Sequence, residues 1–208
     1  MGPEELPFMP HGGYRKLRSY WVAEAIYDAT VVFCRRFYSS DRRMSDQMVQ
    51  AARSGVRNIS EGSGAAATSR SSEMKLTNVA RASLTDELLP DYESFLRQNG
   101  LRIWPKDSTL CLAMRARLQR DRHDDLPPAT VGTVQLAGLA DLAEFVGKAD
   151  PEIAANAMIC AIHQAGYLLK RQIESQGRRF MNDGGFHENL YRQRQKRRGP
   201  THGGRGQD

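Results

Sequence analysis

Catalysis needs polar side chains of suitable type in convergent positions, and this sequence offers few. The histidines are His11, His123, His163, His187 and His202, and the cysteines are Cys34, Cys111 and Cys160. Four of the histidines fall in loops or tails, and none reads as part of a Cys/His metal set. No Gly-x-Ser-x-Gly elbow, phosphate-binding loop or His-Glu-x-x-His pair occurs. Only His163-Gln164 sits on a helical segment, and the pair reads as buried core polarity rather than as a base with its orienting partner. No catalytic residue, metal or cofactor is expected, and the chain does not read as an enzyme.

The chemistry that remains is phosphate binding by arginine. Arginine outnumbers lysine 24 to 6, and guanidinium forks match phosphate oxygens better than ammonium does. The net charge of +6 is unevenly placed: residues 1–169 carry 20 basic and 20 acidic side chains, residues 170–208 carry 10 and 4. In that last fifth Arg178, Arg179, Arg192, Arg194, Lys196, Arg197 and Arg198 alternate with Phe180, Phe186 and Tyr191. The basic groups could neutralise phosphates and the rings could stack on bases. A second excess lies at residues 11–60, with 9 basic against 4 acidic side chains; it includes Arg35, Arg36, Arg53 and Arg57. The bland reading is a solvated tail and an arginine content set by a GC-rich coding sequence.

These side chains must be carried by helices, since no segment shows strand alternation. Residues 1–13, rich in Pro and Gly, read as an irregular lead-in. From Tyr14 to Phe37 a wide apolar stripe at helical spacing predicts a helix touching more than one neighbour. A second helix is expected from Ser39-Ser40-Asp41 to about Ser60, with Gly62 as the residue after its end. A third is expected from about Ser69 to Asn99, kinked at Pro90 and stopped by Gly100. Residues 101–149 read as a spacer with short helices near 108–120 and 136–146. Asp150-Pro151-Glu152 is a strong start signal for a fourth helix over residues 150–182. Residues 183–208 complete the chain as a basic extension. The short connections impose antiparallel neighbours, so the expected fold is all-α: an antiparallel four-helix bundle, a spacer outside it and a basic tail.

The segment Asn58-Ile59-Ser60-Glu61-Gly62 is the most constrained. A carboxylate at a helix C-terminus is disfavoured by the macrodipole, so Glu61 is expected to form a polar latch between helices, with Arg57, Arg53 or free N–H groups as partners. Residues Tyr14-Arg15-Lys16-Leu17-Arg18, Gln50 to Gly55, Asn58 to Gly62, and Ala80-Arg81-Ala82-Ser83-Leu84 with Glu87-Leu88 resemble a bacterial four-helix-bundle family. It includes proteins encoded in intervening sequences of large-subunit ribosomal RNA genes and the accessory protein of diversity-generating retroelements. Asn156 to Cys160, His163 to Leu169, Gly185-Phe186 and Leu190-Tyr191 resemble its subgroup with a C-terminal suffix domain. The resemblance spans roughly residues 12–198. Asn58, Glu61, Gly62, Ser83, His163 and Gln164 read as structural-motif residues. In the retroelement relatives the resemblance implies a basic, ring-like, pentamer-type homo-oligomer that associates with nucleic acid and a reverse transcriptase. This chain departs from those relatives in its neutral residues 1–169 and its long spacer.

The expected function is non-enzymatic association with RNA or DNA through Arg-rich surfaces, with little sequence preference. The alternative is a protein-interaction or homo-oligomeric scaffold whose basic tail is incidental. No run of apolar residues reaches the length of a membrane span. The start of the chain has no secretion-signal pattern, and three dispersed cysteines make no disulfide framework, so the cytoplasm is the expected compartment.

Overall fold

The structure, a computed structural model, describes residues 12–120, 129–131, 134–136, 138–183, 190–191 and 194–195. Regular structure among them is helical apart from one small hairpin. The helices are α1 (Arg18–Phe37), α2 (Arg42–Ala65), α3 (Arg70–Ala82), α4 (Leu89–Gln98), α5 (Thr109–Leu118), α6 (Leu142–Lys148) and α7 (Pro151–Asp183). No helix among the described residues is long and apolar enough to cross a membrane.

Local chemistry accounts for most boundaries. The Asp41 carboxylate caps α2 by accepting from the Met44 amide at 3.0 Å, and the Ser69 hydroxyl caps α3 through Ser72 N. Ser108, rather than its neighbour Asp107, caps α5 by accepting from Cys111 N. Gly100 adopts φ 65°, and Leu101 N returns to Leu96 O at 2.8 Å, closing α4 in the left-handed manner glycine permits.

Two boundaries differ from the sequence expectation. α2 runs to Ala65, about a turn beyond Ser60, so Gly62 lies inside the helix rather than after it. It is buried where a Cβ would meet the Glu73 carbonyl and Leu76 Cβ at 3.3 Å each, so its smallness serves close packing and not a turn. The kink expected at Pro90 takes the form of a π-helical turn, Ser83–Leu88, that joins α3 to α4 without a break. A wider turn just before proline relieves both the missing N–H and the ring's clash with the preceding carbonyl.

One core runs through the molecule. It joins Val22, Ile26 and Phe33 of α1, Met48 and Ile59 of α2, Leu84 and Leu88 of the π turn, Tyr92 and Leu96 of α4, and Met158, Ile162 and Leu169 of α7. α1 packs on α2, α6 and α7, as its wide stripe predicted, while α3 packs on α2 and α7. The spacer does not stand apart. Cys111, Met114 and Leu118 of α5, and Leu142, Phe145 and Val146 of α6, belong to the same core. Between these two helices Ala129–Val131 pairs antiparallel with Val134–Leu136, strands too short to leave a readable alternation.

Candidate nucleic-acid interface

The start of α1, the end of α2, the start of α3 and the end of α7 meet at one end of the molecule. Gly12 N donates to Ser63 O at 3.1 Å, and Ser19 Oγ to Gln172 Oε1 at 2.6 Å. Gln176 Nε2 donates to Glu73 Oε1 and Thr77 Oγ1, both at 3.0 Å, and Arg179 Nη2 lies 3.7 Å from Glu73 Oε1. This layer of polar contacts joins these four helices below their apolar core.

Charge follows the same division. Residues 12–25, 57–79 and 170–182, which make up this end, hold 10 Lys and Arg against 4 Asp and Glu. Residues 26–56, 80–98 and 151–169, the opposite half of the same helices, hold 7 against 8. The long helices are thus electrically polar, positive at the end from which the chain continues into residues 184–208, themselves 6 basic against 2 acidic. Sequence ranges alone hide this, because positive stretches of α1, α2, α3 and α7 are far apart in the chain.

The individual arginines are sorted by this geometry. Arg57, Arg178 and Arg179 are exposed and share the positive end. Arg53 is exposed one turn before Arg57 on α2. Arg35 is exposed near the opposite end, and Arg36 is engaged elsewhere. Its Nη1 donates to the carbonyls of Val146 and Ala149, and its guanidinium lies 4.6 Å from the Phe37 ring centre. Arg194 is exposed; Arg192, Lys196, Arg197 and Arg198 lie outside the described residues. Around Arg42 and Arg43 a shallow groove also carries Asp46, Glu87 and Asp91. Burial and the neighbouring Glu87 raise the Asp91 carboxyl above its ordinary value, so that groove is no uniform cationic surface.

The structural residues divide in the same way. Asn58 Nδ2 donates to Ser54 O at 2.9 Å and to Ser54 Oγ at 3.1 Å, and Ser54 Oγ lies 3.0 Å from the hydroxyl of Ser83. This chain of contacts ties α2 to the π turn. Glu61 is exposed and its carboxylate makes no ion pair or hydrogen bond to a described residue, so the expected latch partner is not among them. His163 is an exposed residue rather than core polarity. Gln164 donates from Nε2 to Leu118 O at 3.2 Å, whereas its buried Oε1 meets no described donor.

A convergence that sequence reading missed lies on the other half of α7. Cys111 Sγ is 3.6 Å from Cys160 Sγ, with His163 one turn further along. The three-residue spacing of Cys160 and His163 is the only sequence signal for it; Cys111 arrives through the fold of the spacer. All three cysteines are free, and no group of three or more His, Cys, Asp or Glu among the described residues could hold a metal ion. Comparison with family models, curated proteins and solved structures finds no match to this chain.

Proposed function

We propose that this protein is a cytoplasmic, non-enzymatic nucleic-acid-associated antiparallel four-helix bundle that holds the phosphate backbone at its positive end. The antiparallel reading is supported by neighbouring pairs whose numbers rise along one helix as they fall along the next. Cys34 lies by Met48 while Gly12 lies by Ser63. Ser54 lies by Ser83 while Gly62 lies by Leu76. Thr77 lies by Gln176 while Thr85 lies by Gly166.

The observation that carries the functional reading is the axial charge division, positive at the end continued by the basic residues 184–208. The resemblance of the Asn58–Gly62 and Ala80–Leu84 segments to the bacterial bundle family adds to it, together with the ring-like assembly of that family's retroelement members. Arginine contacts to phosphate release counterions, so affinity falls steeply with salt, whereas apolar assembly does not. Fluorescence anisotropy on short RNA and DNA strands across a salt series tests the proposal. Binding that weakens with salt and varies little with sequence is expected. Absence of binding at low salt returns the protein to the scaffold reading, which light scattering would then examine through its oligomeric state.

A further inference from the structure

Away from the positive end, α4, the connector to α5, α5 and α7 enclose a cleft of about 270 Å³. Its construction follows from one side chain. Asn156, 1% exposed, accepts from Trp104 N through Oδ1 at 2.8 Å and donates through Nδ2 to Arg102 O and Glu152 O at 2.8 Å each. Glu152 adds a second hold, accepting from Arg102 N at 3.1 Å and from the Trp104 indole at 3.4 Å. These bonds clamp an otherwise irregular connector onto α7 and set Ile103 and Trp104 as one wall, facing Ile159.

The polar groups come from four different segments: Glu93 of α4, Lys106 of the connector, Arg115 of α5 and His163 of α7. Cys111 and Cys160 complete the lining, and burial with the neighbouring Cys111 raises the Cys160 thiol well above its ordinary range, so Cys160 remains uncharged. Glu93 has Arg97 as a partner at 3.6 Å, while neither Lys106 nor Arg115 pairs with a described carboxylate. Two cations and one carboxylate leave the lining one positive charge in excess, beside apolar walls. Volumes of ~300–1,000 Å³ are usual for ligand sites, and this cleft falls just below that range, a size suited to the smallest organic ligands.

We infer that this cleft is a binding site for a small organic monoanion, a carboxylate on a flat apolar body, held by Lys106 and Arg115 with the body against Ile103, Trp104 and Ile159. The imidazole of His163 reports on it. Its partial burial against the cleft wall, on a residue otherwise open to solvent, lowers its pKa first; Lys106 and Arg115 lower it further, and Glu93 opposes them. An anion placed among these groups offsets the two cations and moves the imidazole upward.

The experiment is a titration of the full-length protein with benzoate, followed by the NMR signals of the His163 ring and the Trp104 indole. Benzamide, the neutral isostere, and inorganic phosphate are run alongside. Benzoate is expected to shift both signals saturably and raise the His163 pKa, with benzamide binding about ten-fold or more weakly for want of the charge-assisted contact. Lys106 and Arg115 are both exposed, so K106Q and R115Q should fold normally and lose affinity for benzoate by a similar factor. Phosphate binding as tightly as benzoate would overturn the role of the apolar wall, and benzamide doing so would overturn the role of charge. No shift with benzoate at millimolar concentrations would overturn the site itself.

Discussion

Arg36 of α1 donates from Nη1 to the Ala149 carbonyl at 2.9 Å and also to Val146 O, so it caps the C-terminus of α6 from outside. The last carbonyls of a helix lack intrahelical donors, and a cation there also complements the macrodipole. Arg18, five turns back on α1, does the same for α5 by donating to Leu118 O and Gln119 O. Two arginines of the first helix thus anchor both helices of the spacer. R36A is expected to lower stability by about 1–3 kcal/mol, as for other hydrogen bonds to charged groups. R35A should change it by less than ~0.5 kcal/mol, as is usual for an exposed side chain. Urea melts of both variants decide this, and equal behaviour would remove Arg36 from the capping role.

Glycine positions separate packing from propensity. A Cβ at Gly55 would sit 2.7 Å from Leu84 Cγ and Cδ2, inside the core, whereas one at Gly64 meets nothing within 4 Å. G55A is expected to cost about 1–3 kcal/mol, the usual penalty of overpacking. G64A, on the same helix, should be neutral or stabilise by up to ~1 kcal/mol through helix propensity alone. Thermal melts in opposite directions would establish that α2 and the π turn touch through Gly55.

The lowered pKa of His163 makes stability depend on pH with a definite sign. Its ordinary value is 6.5, and the folded protein holds a proton less readily than the unfolded chain. Stability from this group is therefore fully present above about pH 6.5 and is lost as pH falls through the lower folded value. Asp28 and Asp91, whose folded values are raised from 3.8, act with opposite sign and at more acidic pH. Melting temperature should drop between pH 7.5 and 5.5 in the wild type and drop less in H163N, as differential scanning fluorimetry would record.

The helices are legible in the sequence wherever apolar spacing and a cap agree, as at Asp41, Gly100 and Pro151. Gly62 misleads because a glycine near an expected helix end looks the same whether it supplies a left-handed turn or merely space. The spacer reads as lying outside because its apolar residues are thinly spread. Only the fold shows Met114 and Phe145 sharing a core with Leu84. Arg36 and Arg57 are equivalent in type and exposure, yet the first is engaged by α6 and the second stays at the positive end. No local pattern distinguishes them, since the difference lies in what the spacer brings to each. The dithiol pair is invisible in the sequence for the same reason, with 49 residues separating Cys111 from Cys160.

The axial charge division makes a prediction that compares two pairs of exposed arginines. Arg57 and Arg178 share the positive end; Arg35 and Arg43 lie toward the other, where Asp41, Asp46 and Asp91 offset them. R57Q with R178Q removes two charges from the proposed interface, and R35Q with R43Q removes the same number from elsewhere. Net charge, and with it any nonspecific long-range attraction, changes equally in both. If phosphates are held at the positive end, the first pair should make the slope of log affinity against log salt shallower by about 1.4 on single strands, about 0.7 for each phosphate no longer neutralised. The second pair should leave the slope unchanged. Truncation after Asn182 deletes Arg192, Arg194, Lys196, Arg197, Arg198 and Arg205 but spares the contacts that Gln172, Gln176 and Arg179 make, so the helices should still pack. That form should bind more weakly than the full chain, with a slope that still responds to R57Q and R178Q. Anisotropy measured over a range of salt concentrations on the full chain, the two double variants, and the truncated form with and without R57Q and R178Q would test this. Equal slopes for the two double variants would mean that net charge, and not the positive end, governs binding.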